Sequence, residues 1–197
     1  MATAAPTRRR AIEDVASALF RERGYAATSV RDIARALDIQ GASLYSHVTS
    51  KADVLWTIVD RASTRFEAAA ESASQLPPSA GAPDRIRAFI RAHVLVATAD
   101  PELTSVFVHE WRHLEGERRS AILARRDRYE ARLRYLIAEG MSAGELLPTD
   151  PAIAASFVLG ALNSLATWYR PDGRLPAGRI ADHYADLAVR SLTEDHQ

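Results

Sequence analysis

No cysteine occurs among the 197 residues, which excludes disulfides, thiolate metal sites and cysteine nucleophiles. Net charge is absent as well, since 25 Lys and Arg balance 25 Asp and Glu. That balance argues against indiscriminate coating of nucleic acid but leaves room for one small basic face. Residues 1–20 lack the apolar core of a signal peptide, because Glu13 and Asp14 interrupt it. The alternation of half-buried strands is missing too. Long uncharged runs are rare, and one approaches the length of a membrane span: PAIAASFVLGALNSLATWY, residues 151–169. Ser156, Asn163, Ser164 and Thr167 within it, with Arg170 and Pro171 after it, favour a helix buried by protein. The expectation is a cytoplasmic protein with no membrane partner.

What is present reads as helix nearly throughout. Alanine and arginine are abundant, and apolar residues recur at spacings of three and four. The fold class expected is all-α, with about nine helices. Thr7 can cap a first helix reaching Arg23, with Ile12, Val15, Ala16, Leu19 and Phe20 on one face and Gly24 ending it. Thr28 and Ser29 precede a second, in which Asp32 stands where a capping-box acid reaches back. A short third covers residues 40–48, and Ser50 caps a fourth over 51–74. QLPPSAGAP, residues 75–83, is a proline-glycine linker. Further helices are expected over 84–99, 101–114, 116–139, 152–169 and 179–193.

Two short helices joined by LDIQG have the geometry of a helix-turn-helix, whose second helix enters the DNA major groove. Ile33, Ala34 and Leu37 can pack against Leu44 and hold the pair together. The outer side of the third helix then offers Gln40, Gly41, Ala42, Ser43, Tyr45, Ser46 and His47. A glutamine can pair bidentately with adenine, glycine permits close approach, and hydroxyls reach bases or phosphates. Thr28 and Lys51 sit at helix starts, where backbone N–H groups and a cation suit phosphate oxygens. Spacing alone leaves DNA binding and a plain helical bundle both open.

ALFRERGYAATSVRDIARALDIQGASLYSHVTSKADVL closely resembles the DNA-binding headpiece of the TetR family of bacterial transcriptional regulators. The resemblance is carried by Leu19, Phe20, Gly24, Tyr25, Thr28, Ser29, Ile33, Ala34, Leu44, Tyr45, His47, Ser50 and Lys51. Gln40, Ala42 and Ser43 depart from the usual pattern at the start of the recognition helix, so the operator sequence does not carry over; Val48 departs as well, inside the headpiece core. The resemblance implies phosphate contacts from Thr28, Tyr45, His47 and Lys51, and base contacts from around Gln40 to Ser43. It divides the chain into a DNA-binding domain, 1–53, and an effector-binding and dimerisation domain, 54–197. It implies a homodimer, paired through its last two helices, that represses from a palindromic operator and is released by a small molecule. The alternatives are an activator of the same fold and, from a different class, an HExxH zinc-dependent hydrolase; no enzyme activity and no cofactor are expected.

The C-terminal segment ALNSLATWYRPDGRLPAGRIADHYADLAVRSL, with HEWRHL, is similar to one TetR subgroup. Those repressors respond to acyl-coenzyme A thioesters, and one of them controls cholesterol-ring catabolism in actinobacteria. Such an effector needs apolar walls and cations. Phe89, Val106, Phe107, Glu110, Trp111, Leu162 and Trp168 are the candidate pocket residues. Arg112, Arg119, Arg125 and Arg126 are candidates for the anionic end, or else form a solvated face.

His109-Glu110-x-x-His113 also spells a zinc-peptidase motif, with both histidines on one helical face and the glutamate as base. Arg119 occupies the place of a third histidine and would repel the metal. Glu130, further along the chain, is a candidate for a distant third ligand, but no strand is expected to order a peptide substrate. No metal is therefore expected. Leu103, Val106, Phe107, Glu110, Trp111 and Leu114 instead form one stripe, in which the carboxylate requires a partner. An arginine from a neighbouring helix, or the effector, is the expected partner.

Overall fold

The computed structural model describes residues 8–77 and 79–193, so the expected Thr7 cap lies outside the described residues. Helix α1 (Arg8–Arg23) stops where Gly24, with φ of 82°, donates its N–H to the Phe20 carbonyl. Ser29 caps α2 (Val30–Ala36): its hydroxyl accepts from the Asp32 N–H, and Asp32 accepts from the Ser29 N–H. The capping box is thus complete with Asp in the acid position. Asp38, with φ of 53°, turns the chain into α3 (Gly41–Tyr45). Ser50 accepts from the Asp53 N–H at 3.0 Å and so caps α4 (Lys51–Ala73).

The remaining helices are α5 (Ala82–Ala99), α6 (Pro101–His109), α7 (Gly116–Ser142), α8 (Pro151–Asn163), α9 (Leu165–Trp168) and α10 (Ala177–Thr193). Among the described residues there are no strands. The nine expected helices are present, with two breaks. The first is in 101–114, where α6 ends at His109 and Trp111–His113 tightens into a 3₁₀ turn. The second is in 152–169, which divides at Ser164 into α8 and α9. Pro151–Trp168 is apolar enough for a span, with mean hydropathy 1.3. Its continuous part, α8, is 13 residues, about 20 Å of helix against a bilayer core of about 30 Å.

The chain packs as two units, each with its own core. One contains residues up to Ser63 together with Glu102–Ile122. Its centre is Ile12, Ala16, Phe20, Ile33, Leu44, Val48, Leu55 and Ile58, all buried. Burying side chains of this size stabilises by about 1.5–3 kcal/mol each. Glu13 is buried beside them, 2.6 Å from the Arg61 guanidinium. Desolvation raises its pKa, and Arg61 opposes the rise.

The other unit holds Thr64–Pro101 and the residues from Leu123 onward. Helix α5 packs Ile86, Phe89, Ile90 and Val94 into the core, as α10 does Ile180, Ala181, Ala185 and Val189. Ion pairs Arg87–Asp186 and Arg91–Asp182 join the rims of these two helices. The start of α5 is held by Glu145, whose carboxylate accepts the Ala82 N–H at 2.5 Å. Gly140 makes the approach possible, because a Cβ there would lie 2.5 Å from the Ala82 Cβ.

Candidate nucleic-acid interface and effector-binding body

Helix α3 is only five residues long, and its two faces differ sharply. Leu44 and, just beyond the helix, Val48 are buried, anchoring it to the first unit's core. Gln40, Ala42, Ser43, Tyr45, Ser46 and His47 are exposed, Tyr45 at 55%, and Gly41 is intermediate. The Ser46 hydroxyl donates to the Ser43 carbonyl at 2.7 Å, closing the last turn. No other atom comes within 4 Å of a Cβ built on Gly41, so the helix start is open to an approaching partner.

Two cations outside the expected contact set, Arg31 and Arg35, stand here. An open groove of about 400 Å³ beside the start of α3 is lined by Arg31, Ala34, Arg35, Asp38, Ile39, Gln40 and Gly41. Arg31 and Arg35 are exposed one helical turn apart, and Arg35 reaches Asp32 at 3.3 Å. Hydrogen bonds from Ser29 hold the Asp32 carboxyl below the usual carboxylate range. The i, i+4 spacing of the arginines was visible in the sequence, but their closeness to Gln40 depends on the Asp38 turn.

Two of the expected phosphate contacts are engaged internally. Thr28 is 1% exposed, and its hydroxyl donates to the Gly24 carbonyl at 2.9 Å. Its N–H donates to the Tyr25 carbonyl. The Lys51 ammonium donates to the carbonyls of Tyr25 and Thr28, both at 2.8 Å, and of Ala26 at 3.5 Å. Its Nζ also lies 4.2 Å from the centre of the Tyr25 ring. An ammonium has three donors, and three carbonyls take them. In this structure Lys51 and Thr28 brace the loop between α1 and α2 against the start of α4.

That loop has a second brace. The Tyr25 N–H donates to Glu110 Oε2 at 3.2 Å, and the same oxygen lies 3.4 Å from His113 Nε2. The His113 ring stacks on Tyr25 with centroids 5.0 Å apart. The arginine partner expected for Glu110 is therefore replaced by a backbone amide and an imidazole. Leu103, Val106, Phe107, Trp111 and Leu114 are buried as the stripe required. Yet His109 ends α6 while His113 lies in the 3₁₀ turn, so the two imidazoles do not share one α-helical face. Among the described residues no group of three or more His, Asp or Glu is placed to hold a metal ion.

The expected effector residues divide between the units. Phe107, Glu110 and Trp111 belong to the first; Phe89, Leu162 and Trp168 belong to the second. Phe89 and Leu162 are buried, whereas Trp168 is exposed and stacked on Tyr184. Of the arginines, Arg125 is held by Glu67 at 2.7 and 2.9 Å and by the Thr64 hydroxyl at 2.9 Å. This pairing lowers the Glu67 pKa. Arg112 and Arg119 lie over the Trp111 ring at 5.1 and 5.9 Å.

Helix α8 carries a feature of another kind. Ile153, Ser156, Phe157, Gly160, Ala161 and Ser164 are all exposed and recur at three and four, giving one uncharged face. Phe157 is 66% exposed, and Leu187 on α10 is 67% exposed.

Residues 12–56 match the family described as bacterial regulatory proteins, tetR family. Residues 79–192 match the domain described as tetracyclin repressor-like, C-terminal domain. The chain is 26% identical to the HTH-type transcriptional repressor KstR2 of Rhodococcus jostii (strain RHA1), over 96% of this chain and 93% of the relative. PfmR, a TetR family transcriptional regulator from Thermus thermophilus, is 35% identical with a TM-score of 0.82, over 91% of this chain and 97% of that one. AibR, solved in complex with isovaleryl coenzyme A and operator DNA, is 31% identical with a TM-score of 0.81, over 92% and 97%.

Proposed function

The chain belongs to the TetR family of bacterial regulatory proteins, and we propose that it acts as a homodimeric repressor released from a palindromic operator by an acyl-coenzyme A-like effector. The observation that carries the DNA-binding part is the outer face of α3, polar and exposed around a buried Leu44 anchor. Gln40, Gly41, Ala42 and Ser43 face base edges, Tyr45, Ser46 and His47 serve bases or phosphates, and Arg31 and Arg35 add cations beside them. Thr28 and Lys51 act by positioning, through the loop they brace. Residues 1–53 are the DNA-binding domain and 54–197 the effector and dimerisation domain.

The bare face of α8, with Leu187 of α10, is proposed to meet the same face of a second copy. Small residues Ser156, Gly160 and Ser164 along it allow helices to approach closely. Trp168, exposed at the end of this stretch, belongs with the dimer face; Phe89 and Leu162 stay with the effector. The effector class is supported by the complex that AibR forms with isovaleryl coenzyme A. Release is a difference of affinities between two conformations, with no catalytic step.

The test is selection of duplexes from a random pool, followed by fluorescence anisotropy across a salt series. Two-fold symmetric sequences bound with a steep salt dependence are expected. Recovery of no sequence, or of sequences without two-fold symmetry, would sink the reading. Release of the selected duplex by acyl-coenzyme A, and not by coenzyme A alone, tests the effector class.

A further inference from the structure

Phe66 of α4, Phe89 and His93 of α5, and Tyr129 of α7 form a cluster inside the second unit. His93 is buried, and its Nδ1 lies 3.0 Å from the Tyr129 hydroxyl. Its ring packs on Phe66 with centroids 4.7 Å apart, and Phe89 lies 5.0 Å from Tyr129. Tyr129 is mostly buried but more exposed than His93, so it is the outer member of the pair. Leucine and phenylalanine would fill the space of this pair without the desolvation cost of an imidazole and a phenol. A few convergent polar atoms between aromatic walls are what a site for a largely apolar ligand requires.

The chemistry of the cluster selects the ligand class. Burial lowers the His93 pKa to about 3 and raises that of Tyr129, so both are neutral near pH 7. The nearby Arg132 is paired with Glu71 at 2.8 Å. With Arg132 already paired, the neutral His93–Tyr129 pair matches an uncharged carbonyl, which needs only one donor, better than a free carboxylate. With Tyr129 donating to Nδ1, the proton of the imidazole sits on Nε2, the ring's remaining polar atom.

We propose that His93 and Tyr129 form the point at which this body reads the uncharged carbonyl of an acyl effector, with Phe66 and Phe89 against its apolar part. Nε2–H of His93 donates to the carbonyl oxygen, and Tyr129 fixes the tautomer that makes this possible. The assignment rests on the acyl-thioester reading above and adds which residues recognise which atom.

The test uses the full chain and four probes: isovaleryl- and octanoyl-coenzyme A, and the thioethers of the same chains, which lack only the carbonyl oxygen. Calorimetric titration should show each thioester bound about tenfold tighter than its thioether, the worth of one good hydrogen bond. His93→Leu and Tyr129→Phe should flatten that preference while leaving thioether affinity and affinity for the selected duplex unchanged. Tyr129→Phe removes a single oxygen, so it keeps the test open if His93→Leu fails to fold. Equal binding of thioester and thioether by the wild type, or a preference that survives both variants, overturns the proposal and leaves the effector class standing. Failure of all four probes to bind removes the effector class and the proposal together.

Discussion

The two packing units both contain ion pairs and side-chain bonds to backbone, but they leave faces of opposite kind exposed. In the first, polar groups turn inward onto backbone: Lys51 on three carbonyls, Thr28 on Gly24, Glu110 on the Tyr25 amide. The outer face of α3 is left bare and polar. In the second, charges pair with charges across helix rims, Arg125 with Glu67, Arg132 with Glu71, Arg87 with Asp186. There the bare face, on α8, is apolar. Stabilising hydrogen bonds directed to a loop's backbone leave side chains free to read a polymer of phosphates and bases. Ion pairs on rims leave an uncharged stripe free to meet protein. The contrast lies in what each unit leaves exposed, and each half of it can be broken separately.

The largest effect belongs to an uncharged polar pair of the second unit, His93 with Tyr129. Unfolded His93 takes up a proton near pH 6.5, the buried one only near 3. Between these values the unfolded chain binds the extra proton, so stability falls with pH by roughly 1.4 kcal/mol per unit, and is fully present above 6.5. Urea unfolding of His93→Leu from about pH 7 to about pH 4 should show a markedly shallower acid loss than the wild type. An unchanged slope would mean that the histidine is hydrated, and the second unit wetter than described.

Next comes the apolar stripe. Phe157→Asp places a charge in the proposed contact and should weaken dimerisation by about a hundredfold, or about 2.7 kcal/mol. Sedimentation across a concentration series reads this directly. A dimer of undiminished strength would move the interface elsewhere and leave the uncharged face of α8 without a role.

The smallest stability effects sharpen the first unit. Lys51→Met should cost about 2 kcal/mol, since charge-assisted hydrogen bonds contribute about 1.5–3 kcal/mol. Tyr45→Ala should stay within about 0.5 kcal/mol of wild type while weakening the selected duplex by about tenfold. Thermal melts and anisotropy on both variants separate brace from contact. If Lys51→Met kept its stability and lowered only the salt slope, Lys51 would be a phosphate contact and not a brace.

Features set within a few residues were legible beforehand. Gly24 as a helix stop, the Ser29–Asp32 box, the Ser50 cap and the inward Leu44 all follow from local spacing, and all are found. The exposed set on α3 followed from the same periodicity. What could not be read was where a long side chain goes. Lys51 finds carbonyls 23 to 26 positions earlier, and Glu110 an amide 85 positions away. No pattern in the chain encodes either pairing. The break in the helix falls at Glu110 itself, where the apolar periodicity of 101–114 continues without interruption. His93 falls on the periodic buried stripe of α5, but nothing along the chain says that it meets Tyr129 of α7. Their pairing exists only once α5 and α7 are side by side.

The Lys51 brace has an evolutionary corollary. Its acceptors are main-chain oxygens, which every amino acid carries alike. A mutation at Ala26 can alter shape or charge at the loop surface without removing any acceptor the ammonium uses. Descendants of this chain should therefore diverge freely at position 26 while holding a long cation at 51, an asymmetry of substitution rates that sequencing of close relatives would expose.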